Sequence, residues 1–236
     1  MTDYEPKPNY EEQEAMAIKA VVFDLGGVLE VIEGQGAEDP TSRYPEMMAR
    51  WDARMGWEPG TTAGKDAALN KRYKDIGKDT ALGINITYEE WVSDLQAALG
   101  LDDVTHAALM DDVWDTYIGD FNDELAAYFI GLRPRYKTAF LSNSGIGARE
   151  HEQAARGFED MADLIVYSHE VGVAKPDPRI YAITCERLGV QPDEMIFLDN
   201  VPGNVAAAQQ CGIHAVLYHN NAQAIRDIEA LLAAHR

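Results

Sequence analysis

The sequence predicts an α/β protein: a parallel sheet wrapped by helices, interrupted after its first strand by a helical insertion. Three observations predict it. Residues 18–23 form a short apolar run rich in β-branched and aromatic residues, as in a strand buried on both faces. Residues from about 45 to 117 have a helical rhythm and no strand-like alternation of useful length. After Asn122, apolar strand-like runs alternate with amphipathic segments, the pattern of a parallel sheet with crossover helices.

In chain order, the first strand stops at Asp24 within VVFDLGGVLE, and two glycines follow at once. Gly34, Gly36, Pro40 and Pro45 mark a loop over about 30–45. MMARWDARMGW, AALNKRYKDI, YEEWVSDLQAAL and MDDVWDTYI are helix candidates, the third opened by a Thr87–Glu90 capping box. DELAAYFIGL is a helix and KTAFLSN a strand. GAREHEQAARGF is a helix and DLIVYS a strand. DPRIYAITCERLG and DEMIFLDN, then GNVAAAQQCG and HAVLY, repeat the alternation. Gly189 and Gly212 stand where helices should end. The organisation expected is a disordered acidic tail over 1–16, an α/β core over 17–37 and 119–236, and a helical unit over 38–118.

Composition narrows the partners. The 236 residues carry a formal charge of −20, which repels a nucleic-acid backbone. No apolar run approaches the ~18 residues of a membrane span. The N-terminus is acidic and polar, unlike a secretory signal, so a cytoplasmic location is expected. Cys185 and Cys211 lie far apart in sequence and are expected to be reduced.

In open parallel sheets, ligands bind beyond the carboxyl ends of the strands. There the sequence delivers Asp24, Ser142 and Asn143, then Lys175 after the next strand, and Asp199 with Asn200. Taken singly these residues fit turns, caps or solvated loops. Together they suit a phosphoryl group. A carboxylate can attack phosphorus, glycines admit backbone N–H groups, a hydroxyl donates and an amine neutralises. Mg²⁺ on oxygen ligands would complete such a site.

These motifs resemble the haloacid dehalogenase-like (HAD) hydrolases, in the subfamily with a helical cap after the first strand. FDLGGVL, FLSNS, GVAKPDPRIY and IFLDNVPGNVAAAQQCGI match in order, over about residues 18–218. The resemblance implies a Rossmann-like core with a small helical cap and a Mg²⁺-dependent phosphatase acting on a small phosphorylated metabolite. Asp24 would be the covalent nucleophile. Ser142 would bind phosphate, and Lys175 would hold nucleophile and phosphate together. Gly27 and Asn143 would offer backbone N–H groups, Gly27 beside Gly26. The metal would sit on Asp24, the Gly26 carbonyl, Asp199 and Asn200.

Two departures matter. Most phosphatases of the family carry a second aspartate where Gly26 stands, to protonate the leaving oxygen, and a second carboxylate where Asn200 stands. The missing acid is tolerable with a leaving group needing little protonation, such as an anomeric sugar phosphate, or with Glu30, Glu33 or His169 relaying the proton. A metal-independent 2-haloacid dehalogenase is one alternative, since those enzymes also lack the second aspartate; Asp199 argues against it. A fold retained for binding or regulation is another. In the cap, Arg43, Tyr44, Arg50 and Arg54 either reach the substrate or lie on solvated faces. Trp51, Trp57, Trp91 and Trp114 read as packing.

Overall fold

The computed structural model describes residues 17–31 and 43–235. The tail expected over 1–16, most of the expected loop and Glu33 lie outside them. Five parallel strands form the central sheet: β1 (Ala20–Phe23), β4 (Lys137–Ser142), β5 (Leu164–Tyr167), β6 (Met195–Asp199) and β7 (His214–Leu217). Their order is β5-β4-β1-β6-β7. Each coincides with an apolar run of the sequence, β1 beginning at Ala20 rather than at residue 18.

Strand geometry divides the core into two layers, because successive side chains point to opposite faces. Val21 and Phe23 face Phe129 and Leu125 of α5 (Asp123–Leu132) and Ile228 of α11 (Asn221–Ala234). Ala20 and Val22 face Ile180 and Tyr181 of α9 (Pro178–Leu188) and Ala208 of α10 (Pro202–Gln210). Three further helices, α6 (Ala148–Arg156), α7 (Phe158–Met161) and α8 (Ser168–Val171), complete the connections.

The insertion contains α1 (Arg43–Met55), α2 (Thr61–Asp75), α3 (Tyr88–Leu99) and α4 (Asp103–Ile118). Met47, Trp51, Leu69, Tyr73, Leu95 and Leu109 form its core, and Ile146 and Ala148 of the sheet unit join the same cluster. The insertion is thus packed onto the loop that follows β4. Trp114 stacks on His151 of α6, with ring centroids 3.8 Å apart and planes 9° from parallel. Gly147 permits this approach. It adopts φ 88°, and a Cβ there would lie 2.6 Å from the Tyr88 ring. At the base, β2 (Glu30–Val31) and β3 (Asp120–Phe121) pair antiparallel, tying the entry of the insertion to its exit.

The capping box forms by half. Thr87 Oγ1 accepts the Glu90 N–H at 3.2 Å, but the Glu90 carboxylate is drawn away to Lys78. Arg43 pairs with Asp120 at 2.9 Å, and Arg54 lies over the Trp51 ring, 4.4 Å from its centroid. Among the described residues, no helix is long and apolar enough to cross a membrane.

Candidate active site

The site forms where β1, β4 and β6 end side by side. Phe23 lies opposite Phe140 on one flank and Leu198 on the other. One residue further, Asp24 N donates to Leu198 O at 2.9 Å, which fixes the carboxylate at the sheet's edge. Asp24 Oδ1 accepts from Leu25 N at 2.8 Å and from Lys175 Nζ at 2.7 Å.

Lys175 is the hub. Its ammonium donates to Asp24 Oδ1, to Asp199 Oδ2 at 2.8 Å and to Leu141 O at 2.9 Å, which places its three protons on three acceptors. The side chain is 1% exposed. Burial works against its charge, but the two carboxylates prevail and hold its pKa above the ordinary lysine value. Burial also pushes Asp24 up to about 7; Lys175 opposes this shift and Asp199 adds to it.

Asp199 is fully buried, and its remaining contacts are internal. Oδ1 accepts from Val201 N at 2.7 Å, and Asn204 Nδ2 reaches both oxygens at 3.2 and 3.1 Å. These bonds make Asp199 a counter-charge of Lys175. Asn204 is in turn held by Tyr181, whose hydroxyl donates to the Asn204 carbonyl at 2.9 Å.

One expectation about a backbone donor changes, that for Gly27. Gly27 N–H donates to Glu30 O at 2.7 Å, so it is not turned toward a phosphate. What Gly27 provides is room: it sits at φ 78°, and a Cβ there would lie 2.2 Å from Asn200 Nδ2. Asn143 acts through its side chain, which accepts from Lys175 N at 2.8 Å and donates to Lys175 O at 2.9 Å. This two-point clamp positions the lysine loop. Ser142 is buried, and among the described residues its hydroxyl has only a long 3.5 Å contact with Asn143 O, which leaves it available to a ligand.

Gly27 packs against Asn200 at the same sheet edge as Asp24, so the residues there supply carboxylates, main-chain carbonyls and an amide. All are hard donors suited to Mg²⁺, which is commonly held by one or two carboxylates plus substrate phosphate. Among the described residues, no three His, Cys, Asp or Glu side chains converge as a ready-made metal site. The donor set therefore fits Mg²⁺ with a phosphate completing the coordination.

Behind the nucleophile loop lies a second acidic pair. Glu30 and Glu152 are buried, and Oε1 of each has no hydrogen-bond partner among the described residues. Tyr167 donates its hydroxyl to Glu152 Oε2. Burial pushes Glu152 up to about 7; it holds Glu30 well above the usual carboxylate range, with the charges of Glu152 and Asp24 adding. His169, on the other flank, has Nδ1 2.8 Å from Ser144 Oγ, and burial lowers its pKa.

Sequence reasoning missed Asn204, the Asn143 side chain and Leu141 O. Only Asn204 had a visible signal, as a polar residue at the start of a helix five positions after Asp199.

Comparison with known proteins agrees with this architecture. A family model described as haloacid dehalogenase-like hydrolase matches residues 18–212. Phosphatase MT3486 of Mycobacterium tuberculosis is 28% identical over 227 residues, covering 92% of this chain and 96% of its own. D-ribitol-5-phosphate phosphatase of Bacteroides thetaiotaomicron is 24% identical over 225 residues, covering 91% and 98%. The magnesium complex of a HAD family enzyme from Bacteroides thetaiotaomicron superposes with a TM-score of 0.62 at 21% identity, over 86% of this chain and 94% of its own. With its parallel sheet, its inserted helices and its matched motifs, this chain belongs to the haloacid dehalogenase-like hydrolases and is a hydrolase.

Proposed function

We propose that the protein is a phosphatase that cleaves a small phosphorylated metabolite through an aspartyl-phosphate on Asp24. The observation that carries this reading is the buried Asp24–Lys175–Asp199 chain at the sheet's carboxyl edge. Asp199 fixes the ammonium, and the ammonium fixes Asp24. The available Ser142 hydroxyl stands one strand away. A phosphoryl group docked there meets a nucleophile, a cation and a donor already in place, so little reorganisation is needed.

The bond from Asp24 to phosphorus forms as the bond to the leaving oxygen breaks. Water then attacks phosphorus, which releases phosphate and regenerates the carboxylate. Lys175 offsets charge on the phosphoryl oxygens in both steps. Gly26 has no side chain with which to protonate the leaving oxygen, so that oxygen takes its proton from elsewhere. Mg²⁺, held by Asp24, the Gly26 carbonyl, Asp199 and Asn200, would neutralise phosphate charge when bound. The inserted helices act as a cap over the sheet's edge and exclude water during transfer. The free cysteines Cys185 and Cys211 suit a cytoplasmic location.

The test is hydrolysis of p-nitrophenyl phosphate and a metabolite panel, with Mg²⁺ or EDTA, by the wild type and Asp24→Asn. The wild type should turn over with Mg²⁺, and the variant should lose at least about 10³-fold while staying folded. Retention of activity within tenfold would remove Asp24 as nucleophile. Metal-independent turnover of 2-haloacids would show attack on carbon instead.

A further inference from the structure

The inserted helices enclose a cavity of about 520 Å³, within the range of small-ligand pockets. We propose that it holds the organic part of the substrate and that this part is an apolar aromatic alcohol, making the substrate an aryl phosphate rather than a sugar phosphate. This rests on the phosphatase reading above.

Three observations lead there. The first is position. The cavity floor is Gly145 and Ile146, in the loop that leaves β4 at Ser142. Consecutive Cα atoms are 3.8 Å apart, so the Gly145 backbone lies within about 11 Å of Ser142. A leaving group two rings long spans that gap from a phosphate beside Ser142 and Asp24.

The second is the lining. Met47, Met48, Trp91, Leu95, Val113 and Trp114 form the walls. Two of the polar lining side chains, Asn70 and Thr62, are held by carboxylates. Asn70 donates to Asp66 at 3.1 Å, and Thr62 Oγ1 donates to Asp52 at 2.6 Å. A sugar would bury several hydroxyls against alkyl and indole surface, and each left unpaired weakens binding. Aromatic rings match indole faces, and methionine side chains adapt to their outline.

The third comes from the opposite end of the substrate. Gly26 offers no acid to the leaving oxygen, a deficit that matters for an aliphatic alkoxide and much less for a phenolate or an anomeric oxygen, between which the lining decides. The leaving aryloxide departs with the electron pair of the broken P–O bond and is protonated by solvent. Lining and missing acid are independent features: the first selects an apolar group and the second an acidic hydroxyl.

The experiment compares phenyl phosphate with 4-phenylphenyl phosphate, whose leaving groups have similar acidity, so that their ratio reads the cavity alone. The larger ester should have a kcat/KM at least tenfold higher, and glucose 1-phosphate, an anomeric ester, should be poorer than both. Val113→Phe, which fills the cavity, should return the ratio toward one. Separately, 4-phenylphenol should change Trp91 and Trp114 fluorescence saturably in the wild type and far less in Val113→Phe. Equal rates for the two aryl esters, or a preference for the sugar phosphate, would overturn the proposal. So would Val113→Phe raising stability without altering the ratio, the signature of a packing void. If no phosphate ester is hydrolysed, the phosphatase reading fails by itself, and saturable 4-phenylphenol binding still reports on the cavity.

Discussion

Replacing Lys175 with methionine tests the electrostatic core of the site. Methionine keeps most of the apolar stem and removes the charge, so the loss reads the ammonium rather than the packing. In the native chain the ammonium is 1% exposed and joins two carboxylates that are 8% and 0% exposed. Removing one member of a buried ion pair costs about 3–5 kcal/mol, because the remaining charge is left uncompensated. Here two carboxylates and the Leu141 carbonyl lose their donor together, so a loss near the upper end, about 5 kcal/mol at pH 8, is expected. The loss should also depend on pH in a definite direction. Without Lys175 the folded-state pKa of Asp24 rises further above its unfolded value. The folded state then binds more protons than the unfolded state through that window, and stability falls as pH rises. The deficit should be smaller at pH 5 than at pH 8. Urea unfolding of wild type and variant at both pH values, in EDTA, reads both quantities. A deficit under about 1 kcal/mol at pH 8 would refute the reasoning, as would one that grows toward pH 5.

Other expectations follow from the same geometry. Glu152 is raised from 4.5 to about 7 by burial, so wild-type stability should decline as pH rises through that window, by at most about 3 kcal/mol at 1.36 kcal/mol per unit. Glu152→Gln should flatten the decline, and identical pH slopes in urea unfolding would count against it. Gly147→Ala places a Cβ 2.6 Å from the Tyr88 ring at a left-handed φ, and should cost about 1–3 kcal/mol. Its near-UV signal from Trp114 should weaken while far-UV signal persists. Asn200→Asp adds a charged oxygen beside Asp24, and should lower the Mg²⁺ concentration for half-maximal activity about tenfold, a change of ~1.4 kcal/mol. An unchanged metal titration would place the cation elsewhere.

The sheet was legible because every one of its strands is a short apolar run closed by a polar residue. FDLGG, FLSN and IFLDN each announce both a strand and the group it delivers. The two-residue strands β2 and β3 carry no periodicity to detect, since two residues cannot show an alternation. In α11, by contrast, Ala224, Ile228 and Leu232 recur at helical spacing, a signal present in the sequence but absent from the expected elements. Within the site, the sequence names the groups but not their orientation. Asp199 is a carboxylate at a strand end under any reading. Only the three-dimensional placement of Lys175, Val201 and Asn204 shows what its oxygens bond to. Gly27 likewise looked like a phosphate donor until its N–H was seen to close a turn onto Glu30.

The two missing carboxylates can be understood together through charge. Asp24, Asp199 and Lys175 sum to about one negative charge, with the lysine protonated and both acids ionised. Carboxylates at positions 26 and 200 would make it three, and a phosphate dianion would then have to approach a strongly repulsive pocket unless a cation stood between them. With Gly26 and Asn200 the repulsion is a third as large before any metal binds. Burial weakens it further by pushing Asp24 up to about 7, so that part of its population is neutral near that pH. The same substitutions lower metal affinity and remove the proton donor. A site of this composition depends less on its cation to admit phosphate and more on its substrate to leave unaided. The identity of the leaving group therefore carries a share of the catalysis that a carboxylate at position 26 would otherwise supply, and the apolar chamber beyond Ser142 is where that identity is read.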